Sequence, residues 1–251
     1  MLATTISEVI DQLDVIVKYS VQNGDRAGYF AALYKKVTVA VSEKIKLNYF
    51  DDNKRMEMLD VIFANRYLEA YQQYKSNISC SASWQLAFDE THSWKPMVIH
   101  HLIAGMNAHI GLDLGVAAAA VAPGNKIQNI QNDFNKINNI LNELINDVKS
   151  DLFDMWPLSK FITELKVDHL QNTIAGFSML IARDAAWRVA VDIAAIGTDA
   201  ARESYIIERD KKVATFGTKL QKPGFYISTL MYIFRFFEFG TIESKIKKLD
   251  D

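Results

Sequence analysis

The sequence predicts an all-α fold, a single-domain bundle of about eight to ten helices packed around one buried central helix. Three observations carry this expectation. Apolar residues recur at helical spacing from one end of the chain to the other. The 251 residues include only 4 prolines and 11 glycines, too few for a loop-rich β-sandwich. A hydrophobic share of 49% against 23% charged residues suits a chain with a sizeable core.

The elements follow in order. A first helix is expected over residues 7–21, stopped by Asn23-Gly24. Asp25 caps a second, with Tyr29, Phe30, Leu33, Val37, Val41 and Ile45 along one side. Asp51 and Asp52 precede a third, where Met58, Val61, Ile62, Asn65, Tyr67 and Leu68 recur. A short helical piece covers 84–88. Pro96 suits the first turn of the central helix, 97–121, which Pro123-Gly124-Asn125 ends. Residues 127–151 read as an amphipathic helix with one wet side rich in Asn and Asp. Trp156-Pro157 breaks the chain before helices over 159–165, 167–197 and 199–215. Lys222-Pro223-Gly224 then introduces an aromatic helix, 224–239, interrupted by Arg235 and Glu238. A buried core helix is the expectation there; a homodimer face or a membrane-surface contact is the alternative.

Bulk properties exclude several classes. Net charge is −2 and the pI about 6.2, so no global field draws the chain to nucleic acid. The basic residues also lack the aromatic interleaving of a single-strand binder. The one cysteine, Cys80, forms no intrachain disulfide. The first residues lack a signal-peptide pattern, and no apolar run reaches roughly eighteen uncharged residues. A cytoplasmic protein without a transmembrane segment is expected. GxGxxG, Walker, GxSxG, CxxC and Glu-x-x-His patterns are all missing.

The chemistry gathers in one stretch, His100-His101-Leu-Ile-Ala-Gly105-Met-Asn107-Ala-His109-Ile-Gly-Leu-Asp113-Leu. On an α-helix, steps of four advance about 40° around the axis, so His101, Gly105, His109 and Asp113 share one stripe. Ionisable groups on so apolar a helix are costly unless paired or bound to something. Imidazole and carboxylate are common ligands of zinc and iron, and the His109–Asp113 spacing lets both reach one ion. His101 joins only if that ion sits over Gly105, a residue that costs a helix about 1 kcal/mol relative to alanine. A complete site needs help from elsewhere, with Asp184, Asp192, Asp133, His169 and Glu69 as candidates.

The favoured set is His101, His109, Asp113 and Asp184 around one divalent metal, zinc or iron, acting as a Lewis acid on a small molecule. Arg188, four residues beyond Asp184, would hold an anionic group of that molecule. Two readings stay open beside it. The stripe is a buried hydrogen-bond network in a non-catalytic binding or structural protein, or His109 and Asp113 form a metal-free general-base pair. His92 reads as a surface residue, and Asp168 beside His169 as a helix-dipole partner.

Three blocks together carry a resemblance: Gly28 to Thr38, Phe63-Ala-Asn-Arg66-Tyr67-Leu68-Glu69-Ala70, and His101 to Leu114, with Asp133-Phe134 following. They resemble an uncharacterised all-helical family of unknown function found in bacteria and fungi. The resemblance implies a helical fold and no particular activity. A more distant similarity joins His109-x-x-x-Asp113 to helices of zinc phospholipase C and P1 nuclease enzymes. This chain has Gly105 where an aspartate would stand and lacks their amino-terminal tryptophan, which leaves one metal rather than a trinuclear centre.

Overall fold

A computed structural model describes residues 2–155, 179–221 and 235–251. These form ten α-helices with no strand among the described residues. The first four are α1 (Ile6–Asn23), α2 (Ala27–Lys46), α3 (Asn53–Lys75) and α4 (Ala82–Thr91). The central helix is α5 (Val98–Ala108), a π-helical turn (His109–Asp113) and α6 (Leu114–Val121) in unbroken succession. A 3-10 segment (Gly124–Ile130) leads into α7 (Gln131–Asp154). Then come α8 (Met179–Ala195), α9 (Asp199–Gln221) and α10 (Ile242–Asp250).

Local chemistry accounts for the boundaries. Gly24, at φ 62°, and the N–H of Asp25 close α1 onto the Ser20 carbonyl. Asp25 accepts from the Ala27 N–H at 2.9 Å, and Asp52 caps α3 through the Arg55 N–H at 3.0 Å. Buried Asp133, the inward acid of the asparagine-rich α7, accepts from the N–H groups of Asp51 and Asp52 at 2.7 and 3.0 Å. It fixes the entry to α3. Pro96 stands just outside the central helix, because Met97 is the cap. The 3-10 segment takes up residues 124–130, so α7 begins later than its apolar pattern suggests. The expected helix over 159–165, the first part of 167–197, His169 and most of 224–239 lie outside the described residues.

The pattern missed α10. Thr241 caps it, and Ile246 and Leu249 bury against α1 and α2. Two apolar clusters make up the interior. One joins α1 to α4 with α5 and α10; the other joins α6, α7 and α8 with the far ends of α2 and α3. The central helix passes through both, with Leu102 and Ala108 in the first and Ile110 and Leu114 in the second. By length and composition Val98–Val121 could cross a membrane, but 83% of its most apolar stretch is buried inside the bundle. Gly115 lets α8 approach closely: a Cβ there would lie 2.7 Å from Val189.

Candidate functional site

The π turn falls on His109–Asp113, at the junction of the two apolar clusters. Its closing bond runs from the Leu114 N–H to the His109 carbonyl, one residue wider than an α turn. Arg209 from α9 donates to the Gly111 carbonyl at 2.9 Å inside this widened turn. π turns inside α-helices occur often at functional sites. Here the turn carries both members of a buried acid–imidazole pair.

Asp113 is 1% exposed and accepts from three side chains. Arg66 Nε reaches Oδ1 at 2.7 Å; Trp84 Nε1 reaches Oδ2 at 2.8 Å; His109 Nδ1 lies 3.3 Å from Oδ2. Burial alone would raise the Asp113 carboxyl, but the Arg66 charge and then the His109 and Trp84 bonds hold it below the usual range. The acid is therefore ionised and fully held. Burial lowers the pKa of His109 more than Asp113 raises it, so the imidazole is neutral. With a carboxylate facing Nδ1, the single ring proton sits there, and Nε2 carries the lone pair.

That Nε2 is buried and has no partner. Around it stands an aromatic cage. Phe63 stacks on the imidazole with ring centres 3.5 Å apart and planes 8° apart, and the Tyr34 ring meets it edge-on at 4.4 Å. Phe30, Trp84 and Tyr67 complete the enclosure at 5.8, 5.9 and 6.2 Å. The hydroxyls of Tyr34 and Tyr67 are also buried without partners. Thr38, one turn after Tyr34, donates to the Tyr34 carbonyl at 2.9 Å. His109 Nε2 and these two tyrosine hydroxyls are thus three buried polar atoms on the rings of this cluster.

The remaining residues expected at the site lie elsewhere. His101 is 4% exposed, beside the Tyr29 ring at 5.6 Å, with both nitrogens unpartnered. Between it and His109 the Phe30 ring lies on Gly105, where a Cβ would come within 2.4 Å of a ring carbon. The space above Gly105 is filled by this ring, which explains the glycine. Asp184 and Arg188 are exposed on α8, as is Glu69 on α3. Exposed Asp192 accepts from the Tyr205 hydroxyl at 2.7 Å. His92 is exposed and pairs with the Tyr74 hydroxyl at 2.8 Å. Among the described residues no three of His, Cys, Asp and Glu gather at a metal-binding point.

Sequence reasoning found the dyad and missed what holds it: Arg66, Trp84, Phe63 and Phe30. Two blocks beside the histidine motif, 28–38 and 63–70, contain Phe30, Tyr34, Phe63, Arg66 and Tyr67, and the fold brings both against His109. Trp84 comes from α4, whose first N–H groups, of Ala82 and Ser83, are capped by Asp210 at 2.6 and 2.9 Å.

Residues 6–223 match the model of a family of unknown function, DUF5995, and the chain belongs to that family. No curated protein and no solved structure matches the chain.

Proposed function

We propose that this DUF5995 protein binds a small, mostly apolar molecule carrying one hydroxyl or N–H group. His109 Nε2 accepts that hydrogen, and the Asp113–His109 pair acts as general base toward it. The observation behind this reading is a neutral, fully buried imidazole with one nitrogen anchored to a carboxylate and the other unpartnered. A buried acceptor without a donor costs about 1–3 kcal/mol, so a fold that keeps one has a reason to. Asp113 orients the ring and stabilises the imidazolium that proton transfer creates, as the acid does in a Ser-His-Asp triad. The rings of Phe30, Tyr34 and Phe63 suit the apolar part of the ligand, and the Tyr34 and Tyr67 hydroxyls are spare polar contacts for it.

The test pairs nitrogen-15 NMR of the imidazoles with a thermal-shift screen of phenols and small amides. Nδ1 is expected to carry the proton and Nε2 none at neutral pH. Ligands that raise the melting temperature of the wild type should lose that effect in His109→Gln. An Nε2 found protonated, or a screen whose hits stabilise both proteins equally, leaves only a structural hydrogen-bond network.

One observation favours a zinc or iron site as a second reading. Metal-bound imidazoles commonly give their other N–H to a carboxylate, as His109 does to Asp113. Nε2 would supply one ligand, while His101 stands behind Phe30. Metal dependence predicts a lower melting temperature in EDTA and its recovery on adding zinc or ferrous iron. The general-base reading expects no change.

A further inference from the structure

A second polar cluster lies behind Phe30, where the start of α5 meets residues 235–251. Glu238, its side chain 4% exposed, accepts from the Val98 N–H at 2.8 Å and so caps the helix that carries His101. The same carboxylate receives Lys245 at 2.8 Å and Arg235 at 3.1 Å. Lys245 is 3% exposed. Arg26, just before α2, donates to the Thr91 carbonyl at 3.2 Å, and its Nε is buried with no partner. His101, with two unpartnered ring nitrogens, completes the group.

The charges do not balance among the described residues: three cations face one carboxylate. Residues 222–234, which lead into this segment, contain no aspartate or glutamate. The excess is felt locally. Burial lowers the Lys245 pKa, and the charges of Arg235 and Arg26 add to that against the Glu238 bond. Burial, then His100, Arg26, Arg235 and Lys245, push His101 down to about 3, so it stays neutral and has an N–H to donate. A phosphate group carries about 1.5 to 2 negative charges near neutral pH, close to the deficit, and guanidinium forks match its oxygens.

We propose that Arg26, Arg235, Lys245 and His101 form an oxyanion site for a phosphate group, free or carried on a small molecule. The site does not depend on the His109 reading, since the Phe30 ring separates the two.

Calorimetric titration of the full chain with inorganic phosphate, against chloride at matched ionic strength, tests it. One saturable site with a sub-millimolar dissociation constant is expected. Binding should weaken at least tenfold in Arg26→Gln and in Arg235→Gln, and persist in Arg202→Gln, a surface control bonded to Asp199. Melting curves show that each variant is folded, and two variants guard against the loss of one. Titration with phenyl phosphate separates the sources: tighter binding identifies an organic phosphate ligand, equal or weaker binding identifies the free ion. Absence of saturable binding to the wild type, or equal binding by Arg26→Gln, Arg235→Gln and Arg202→Gln, overturns the proposal and leaves adventitious surface binding only.

Discussion

Asp113 is the residue on which the candidate site depends, because its charge is buried and three donors hold it. Arg66→Ala leaves that charge without its ion-pair partner. Breaking buried pairs costs about 3–5 kcal/mol, and the loss here belongs at the lower end because Arg66 is 30% exposed. Urea denaturation checks the figure. Trp84→Phe keeps the ring and deletes one donor, for an expected loss of about 1–3 kcal/mol in the same measurement. Gly105→Ala separates two effects of opposite sign. Alanine improves helix propensity by about 1 kcal/mol, while its methyl group collides with a rigid ring hemmed in by Tyr34, Tyr67 and Trp84. Overpacking of this kind costs about 1–3 kcal/mol, so a lower melting temperature is expected. A stabilised Gly105→Ala would mean that the ring yields and the space above the glycine is open.

At the scale of elements, α3 is the wall between His109 and solvent. It presents Phe63 and Arg66, both only partly buried, to a dyad that is itself sealed. Phe63 stacks directly on the imidazole, so its removal exposes the site without touching the hydrogen bonds of Asp113. Phe63→Ala should therefore raise the rate at which diethyl pyrocarbonate modifies His109, by tenfold or more, read by mass spectrometry of the peptide. An unchanged rate would place the route to His109 on another face. The π turn matters at the same scale. A regular α-helix through 109–113 would close one residue earlier and offset everything after it, including the Gly115 face that α8 packs against. Periodicity read along the chain does not reveal such a turn, because one widened turn barely disturbs the apolar pattern.

For the whole molecule, buried titratable groups pull stability in opposite directions with pH. Burial, reinforced by Glu57, raises Asp60 to about 7, and burial raises Glu90 to about 7. Each keeps a proton in the fold that the unfolded chain releases above about pH 4, so their contribution is full below that and lost as pH rises through 7. His101 behaves oppositely. It is pushed down to about 3, while the unfolded imidazole protonates near about 6.5. Its contribution is present above about 6.5 and lost as pH falls toward 3. Between roughly pH 4 and 6.5 the single histidine offsets only part of the loss from the two carboxyls. Asp60→Asn should then gain on the wild type as pH rises from 5 to 7, by at most about 1.4 kcal/mol per pH unit, in urea denaturation at each pH. A pH-independent difference would mean that Asp60 is ionised throughout. What the sequence determined by itself was the helical class, most element boundaries and the His109–Asp113 pair, because apolar period, caps and i,i+4 spacing are local properties. It also marked Gly105 as a point of close approach. What approaches, the Phe30 ring, was decided by tertiary structure alone. So were the separation of His101 from His109, the solvent-facing positions of Asp184 and Arg188, and the grip of Arg66 and Trp84 on Asp113. Those depend on which helix lies against which, over separations of 29 and 47 residues for the Trp84 and Arg66 contacts, and no local pattern encodes a distance of that kind.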